Sequence, residues 1–461
     1  MKKIFIPQIL VGALAIGPFV LAPPGMARTN SLTAGMTLAY DYYDRQETDT
    51  VEIGESGGSA VADDDYSRLV LTPLLRYVST SARDSLELSA APSVRYDLDD
   101  SETEWDGDLF LGADRYLTEL WQIRGSNRFV RSDYSSDDSV FSEDPDSDPQ
   151  TPDTEPQLSS DLGRTRYWRN TLDLASEYRY SQDSLALVGF NWSVLRNDDD
   201  DRLSDDYDRY TVTLRDEHRF DIRWRSVVEF SAVRGEFQTA EADAVSEDLW
   251  EYYLGLSLEN NSIEHNPLFL DYNFIAIEYD EPLQGDGEAH QLRLSWRHDA
   301  SPQLYTIIGA GPSYLKTEGQ DDSWGYNGIA EVNYLLERGS YRLALEKGYA
   351  ADSFSGTEER GFVDFWDAGF YFTRLLTENL SLDGRLGYRW EERTEFLLDE
   401  SEEYQEDRYS AGLGLDYAFS RYYSARVGYS FVSLDSDRAG FDYDDHRILL
   451  SLSWERELLR W

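Results

Sequence analysis

The sequence predicts an all-β protein: a transmembrane antiparallel up-and-down β-barrel of about 20 strands (18–22), with short periplasmic turns and longer acidic extracellular loops. Three observations carry this prediction. Apolar and polar side chains alternate almost to the last residue, as in Leu380, Leu382, Leu386, Tyr388 and Trp390 interleaved with Ser381, Asp383, Arg385 and Arg389. Strand side chains point to opposite faces in turn, so period two makes one apolar and one polar face. Connections between these stretches alternate between short and long. The polar face carries charges of both signs, and a basic residue facing lipid at mid-membrane costs roughly 2–4 kcal/mol. So many charges at period two require an interior that is watery or ion-paired.

Taken in order, the chain starts with a signal-like segment. Lys2 and Lys3 precede an apolar run from Ile4 to Ala22, and Gly25 and Ala27 fit a small-x-small cleavage pattern. Residues 1–27 therefore read as a signal peptide and residues 28–461 as the outer-membrane barrel. Strands follow at 31–44, 66–79, 84–97, 104–117, 121–134, 165–180, 184–197, 207–220, 223–237 and 248–260. The series continues at 267–280, 288–299, 302–317, 323–337, 340–352, 363–376, 379–393, 404–419, 422–435 and 443–454. Turns near Ser81-Ala82-Arg83, Thr118-Glu119, Ser181-Gln182-Asp183, Arg338-Gly339, Thr377-Glu378 and Ser420-Arg421 are short. The other connections, at 45–65, 135–164, 198–206, 238–247, 353–362 and 394–403, are mostly longer. The segment from Ser135 to Asp161, rich in Asp, Ser and Pro, is expected to be mobile or cation-ordered rather than folded.

Outward candidates include Leu172, Leu174, Tyr178 and Tyr180; Val188, Phe190, Trp192 and Val194; and Trp250, Leu256 and Leu258. Leu413, Leu415, Tyr417, Tyr423, Val427, Ile448, Leu450, Leu452 and Trp454 continue the pattern. The 32 Tyr and 12 Trp suit two aromatic girdles at the water–lipid boundaries. Lumen-lining candidates are Arg169, Asp173, Glu177, Arg179, Arg215, Glu217, Arg293, Arg297, Asp383, Arg385, Arg389 and Arg426. They read either as a selectivity lining or as structural ion pairs stiffening the wall.

The formal net charge of −47 excludes nucleic acid as a partner, because phosphate binding demands a basic patch. Divalent cations, lipid and lipopolysaccharide are the expected neighbours of such acidic loops. Asp198, Asp199, Asp200, Asp201, Asp205 and Asp206 form the best candidate for loosely held Ca2+, since clustered carboxylates supply oxygen ligands. The spacing does not match the twelve-residue calcium loop, and a solvated acidic loop is the simpler reading. No other cofactor is expected. The absence of cysteine excludes disulfides and thiolate metal sites.

No catalytic constellation stands out, so an enzyme is not expected. His218, His265, His290, His298 and His446 show no metal-ligand spacing, and His290 and His298 read as girdle or rim residues. Gly54-Glu55-Ser56-Gly57-Gly58 matches G-x-S-x-G but lacks the strand before and helix after that a nucleophile elbow needs. The end of the final strand is left between Trp454 and Trp461, because Glu457 breaks the alternation.

The stretches Ser301-Pro302-Gln303-Leu304 to Tyr314, Glu378-Asn379-Leu380 to Tyr388, and Ser420-Arg421-Tyr422-Tyr423 to Tyr429 share one pattern. Each is a short turn, an alternating run containing glycine, then tyrosine. In this the chain resembles the outer-membrane β-barrel porin family that includes barrels associated with exopolysaccharide and exosortase loci. The resemblance implies insertion by the barrel-assembly machinery and a link to polysaccharide-export components. The expected function is a channel in the bacterial outer membrane, passing small solutes or assisting export of a surface polysaccharide. The alternative is a non-conducting interaction barrel whose acidic loops bind divalent cations, glycan or a partner.

Overall fold

The computed structural model describes residues 28–47, 64–134, 158, 165–198, 205–238, 248–280, 285–318, 322–356, 360–397, 400–438 and 441–461. Twenty strands run in chain order: β1 Thr29–Glu47, β2 Asp64–Thr80, β3 Asp84–Asp97, β4 Thr103–Tyr116, β5 Trp121–Asp133, β6 Arg166–Ser181 and β7 Ser184–Asn197. They continue as β8 Asp206–Arg219, β9 Trp224–Gln238, β10 Leu249–Asn260, β11 Leu268–Tyr279, β12 Gly287–Ser301, β13 Leu304–Thr317 and β14 Ser323–Leu336. The last six are β15 Gly339–Ala351, β16 Phe362–Leu375, β17 Leu380–Leu397, β18 Glu400–Ser420, β19 Tyr423–Ser436 and β20 Tyr443–Arg460. Each pairs antiparallel with its neighbours in sequence, and β1 pairs with β20 from Ser31↔Arg460 to Glu47↔Tyr443, closing the cylinder. Closure leaves no strand without a neighbour on either side.

Connections at one end are tight, such as 182–183, 302–303 and 421–422, while most at the other end are longer. These are called the short-turn and long-loop ends. One expected long loop is a correction: pairing of β17 with β18 continues to Leu397↔Glu400, so most of 394–403 is strand. Of the segment from Ser135 to Asp161 only Leu158 is among the described residues, and it is buried in an apolar cluster inside the barrel. At the C-terminus, a bulge sets Leu32↔Leu459 beside Thr33↔Glu457, leaving Leu458 as the extra residue. That bulge absorbs the break in alternation, and Trp461 completes the edge by exchanging backbone hydrogen bonds with Asn30 at 2.8 and 3.1 Å.

The outer face carries exposed Val188, Phe190, Val212, Leu214, Leu292, Leu294, Leu343, Leu345, Leu450 and Leu452 at period two. Trp121, Trp224, Trp296, Tyr334 and Tyr423 ring this band towards the short-turn end, and Trp105, Trp250, Trp324 and Tyr326 towards the long-loop end. Two outward candidates, Leu172 and Val194, are covered by their neighbours. Both are buried, Leu172 with Ala113 in a patch that includes Trp192.

The wall is not a uniform cylinder. The β12–β13 ladder skips from Gln291↔Ser313 to Leu294↔Ala310, at a point where Pro312 has no N–H to give. Asn327 of β14 fills the gap: its Nδ2 donates towards the carbonyls of Leu292, Gly311 and Pro312 at 3.1, 3.4 and 3.0 Å. Only glycine fits at 311, since a Cβ there would sit 1.8 Å from the Leu292 oxygen. At this corner β11 and β12 approach β15 to within 8 Å between Cα atoms, although two or more strands separate them along the wall.

Candidate functional site

Most strands turn charged side chains towards the inside of the cylinder. Towards the short-turn end these side chains pair with close neighbours on the wall. Arg215 bonds Glu217 at 2.7 Å and Glu229 at 3.0 Å, while Arg225 reaches Glu217 at 2.5 Å. Arg426 bonds Asp416 at 2.6 Å and Asp383 at 3.1 Å. Arg293 spans the pinched corner to Glu346 at 3.2 Å. Beside them lies a cavity of about 630 Å³, lined in part by Glu87, Asp114, Arg124, Asp173, Asn191, Thr211 and Glu229. Four carboxylates and one arginine line that chamber, with Arg215 holding Glu229 and Arg76 holding Glu87 at 2.7 Å from beside it.

The long-loop half of the same wall is buried. Arg45 grips Asp445 through two bonds of 2.7 and 2.8 Å, and Arg447 holds Asp41 at 2.9 Å. Arg68 and Arg95 both donate to one oxygen of Asp133 at 2.7 Å. Arg95 also reaches Asp106 at 2.6 Å, and Arg166 joins through Glu104 at 2.9 Å and through Asp106. The Arg68 guanidinium lies 3.6 Å over the Tyr66 ring, which stacks on Tyr43 at 5.0 Å. Side chains of Arg45 and Arg68 are 2% and 1% exposed, whereas Arg124 and Arg179 near the short turns are 50% and 55% exposed. Charges removed from water must be paired. Charged side chains are thus buried towards the long-loop end and exposed towards the other.

An apolar cluster is buried inside the barrel as well. Tyr134, just after β5, Tyr167, Leu195, Tyr207, Val233, Leu249 and Ile275 of β6–β11, and Tyr349 of β15 pack in one cluster with Phe354. Phe354 belongs to the segment after β15, which turns into the barrel instead of out into solvent. Its ring meets Tyr207 edge-on at 5.3 Å, Phe237 at 5.5 Å, and the Arg209 guanidinium at 5.0 Å. These partners lie on β8 and β9, separated from β15 by β10–β14 along the wall, so the segment crosses the interior. Gly356 makes the turn at φ 85°, a conformation L side chains resist, and its carbonyl accepts the Asp205 N–H at 2.9 Å. Asp352 is held by Arg393 at 2.7 Å.

Most lumen candidates from the sequence sit beside partners. Asp173 accepts from Asn191 at 2.6 Å, Glu177 faces Arg124 at 3.8 Å and Arg179 at 3.0 Å, and Arg297 bonds Asp299 at 2.8 Å. Arg389 pairs with Glu391 and lies 5.0 Å over Phe365, and Arg169 is buried. Arg385 follows Asp383 at the same parity on β17.

Of the acidic loop, Asp199, Asp200 and Asp201 lie outside the described residues. Asp198 faces Arg131 at 2.5 Å, Asp205 faces Arg360, and Asp206 lies 3.9 Å from Arg196. Among the described residues no group of three or more potential metal ligands converges. At the rim, Arg234 bonds Asp280 at 2.7 Å and holds its carboxyl below the usual carboxylate range. A lowered folded-state value means the pair contributes stability above the ordinary carboxylate range, and loses it as pH falls through the depressed value.

His290 and His446 accept or donate a ring hydrogen bond with Tyr272 and Tyr429 at 2.8 and 2.9 Å, and His298 contacts Asn266 at 2.7 Å. Gly54–Gly58 lies outside the described residues. Sequence reasoning missed the apolar cluster, Phe354 and the Gln291 contact described below. One signal was present: Val194-Leu195 and Phe274-Ile275-Ala276-Ile277 are apolar at both parities, which marks strand ends buried on both faces.

No protein-family model matches the chain, and no curated protein sequence does. Among solved structures, it is similar to the siderophore receptor PirA from Pseudomonas aeruginosa, with a TM-score of 0.50 and 10% identity over 94% of this chain and 81% of that one. OccK2 (OpdF) from P. aeruginosa, solved in complex with glucuronate, aligns with a TM-score of 0.45 and 12% identity, over 93% of this chain and 97% of that one. OccAB3 from Acinetobacter baumannii aligns with a TM-score of 0.44 and 10% identity, over 92% and 99% of the two chains. At such identity the likeness to PirA is one of fold.

Proposed function

We propose that this chain is a porin-like channel of the bacterial outer membrane, charged and open from the periplasm and closed towards the cell surface in the conformation described. The observation that carries the reading is the chamber of about 630 Å³ inside a closed cylinder with apolar groups outside and ion pairs within. In this reading residues 1–27 are the cleaved leader, the barrel-assembly machinery inserts residues 28–461, and the acidic rim meets lipopolysaccharide and loosely held divalent cations. The carboxylates along the chamber, Asp114 and Asp173 together with Glu87 and Glu229 that Arg76 and Arg215 share, favour small cationic solutes. Export of a surface polysaccharide, with its export components as partners, requires the Phe354 constriction to withdraw. Planar-bilayer recording of the purified protein tests the channel: a small cation-selective conductance is expected, and Asp173→Asn with Glu229→Gln should shift the reversal potential towards zero. Silence at every voltage and salt concentration would reject it.

A second reading is favoured by the buried Arg68–Asp133–Arg95 network: a non-conducting barrel whose loops bind cation, glycan or a partner. Loop-dependent binding by a silent barrel would support it.

Both readings need a lipid environment. Leu294→Arg, in the middle of the outer band, should cost about 2–4 kcal/mol in unfolding from phospholipid bilayers. A change within about 0.5 kcal/mol, the size of an ordinary surface substitution, would show that this face meets water.

A further inference from the structure

We infer that the end of β15, Gly348 to Ala351, is a two-position strand: Gln291 holds it inward here, and it can zip back onto an edge that β14 leaves vacant. The consequence for conduction rests on the channel reading; the motion itself does not. The β14–β15 ladder runs from Leu336↔Gly339 only to Gly328↔Lys347, although β14 continues to Ser323 and β15 to Ala351. Ser323–Asn327 therefore have no strand partner on their β15 side, while β13 pairs their other edge as far as Ser323. The edge groups of β15 have found a substitute. The Gln291 side-chain amide donates to the Tyr349 carbonyl at 2.9 Å and accepts the Tyr349 N–H at 3.1 Å. One side chain from β12 thus occupies the ladder position that β14 gave up.

The displaced strand is also the base of the constriction. Tyr349 joins the interior cluster, and its hydroxyl would lie 3.2 Å from a Cβ placed on Gly325. Phe354 follows three residues beyond Ala351. Small residues at Gly325, Gly328, Gly348, Ala350 and Ala351 leave room for either arrangement. Outside, the Tyr326 and Trp366 rings meet edge-on at 6.0 Å across the seam, with the Lys347 ammonium 5.1 Å from Tyr326 and 2.6 Å from Asp364. Continuing the existing register would set Asn327 opposite Gly348, Tyr326 opposite Tyr349, Gly325 opposite Ala350 and Trp324 opposite Ala351. Tyr349 and the segment bearing Phe354 would then be drawn to the wall.

The chain has no cysteine, so an introduced pair reports alone. Facing residues in an antiparallel ladder lie roughly 4.5–5.5 Å apart between Cα atoms, within disulfide reach. Trp324→Cys with Ala351→Cys, in full-length protein folded into phospholipid bilayers, should cross-link on mild oxidation. Adding Gln291→Ala should speed this several-fold, and the off-register pair Tyr326→Cys with Ala351→Cys should be slower. Retained heat-modifiable gel mobility shows that each variant is folded. A folded protein that forms no 324–351 cross-link, with or without Gln291→Ala, overturns the two-position strand. In a conducting pore the oxidised form should carry more current than the reduced one, and equal currents overturn the gating consequence. If every variant is silent the channel reading fails, and the cross-link still decides the strand.

Discussion

Asp133→Ala should destabilise the barrel by about 3–5 kcal/mol, the usual range for breaking a buried ion pair by removing one partner. Its carboxylate accepts Arg68 and Arg95 together, and the Arg68 side chain is almost wholly inaccessible. Without it, two guanidiniums share Asp97 and Asp106 in a region that water does not reach. Asp183→Ala is the control, because Asp183 and Arg219 form an exposed pair at 3.4 Å at the short-turn end. Exposed pairs contribute roughly 0–1 kcal/mol. Equilibrium unfolding in denaturant, from the same lipid for both variants, gives the comparison. Equal losses would mean that Asp133 is hydrated and the long-loop half is not filled.

Phe354→Ala should convert a nearly closed lumen into one with a several-fold larger single-channel conductance. The ring packs against Tyr207, Phe237 and Arg209 at once, from a segment that follows β15. The substitution also removes buried aromatic surface, at a cost of up to about 3–5 kcal/mol, so barrel integrity is checked by heat-modifiable mobility. Ser353→Ala, next to it, should leave conductance near that of the parent. A folded Phe354→Ala barrel with unchanged conductance would place the narrowest point elsewhere.

The strand series was legible because period two is repeated along almost the whole chain, and closure followed from an even count. Residues 394–403 misled because a run of Glu, Asp and Ser reads as loop, yet β17 and β18 pair through it. The lumen candidates could be named because charge at alternate positions marks one face of a strand. The buried Arg68–Asp133 pair could not, because its two members lie on strands that are not neighbours. The fate of the segment after β15 was hidden for a related reason. Ser353-Phe354-Ser355-Gly356 looks like any surface connection, and only the inward-facing Tyr207 and Phe237 far away in sequence make it an interior one. Local pattern reports what each strand does, while filling the centre of a wide cylinder depends on which distant surfaces face one another.

Asn327 is followed by Gly328, the dipeptide in which a backbone nitrogen most readily closes on the side-chain amide and expels ammonia. The aspartate left behind would aim negative oxygen at three carbonyls that now share one NH2 group. Pairing with Gly311 on one flank and Ala310 and Lys347 beside the glycine keeps that nitrogen in extended geometry, away from attack. Chemical ageing of this protein is thereby tied to fraying of a single corner, and each such event would be irreversible.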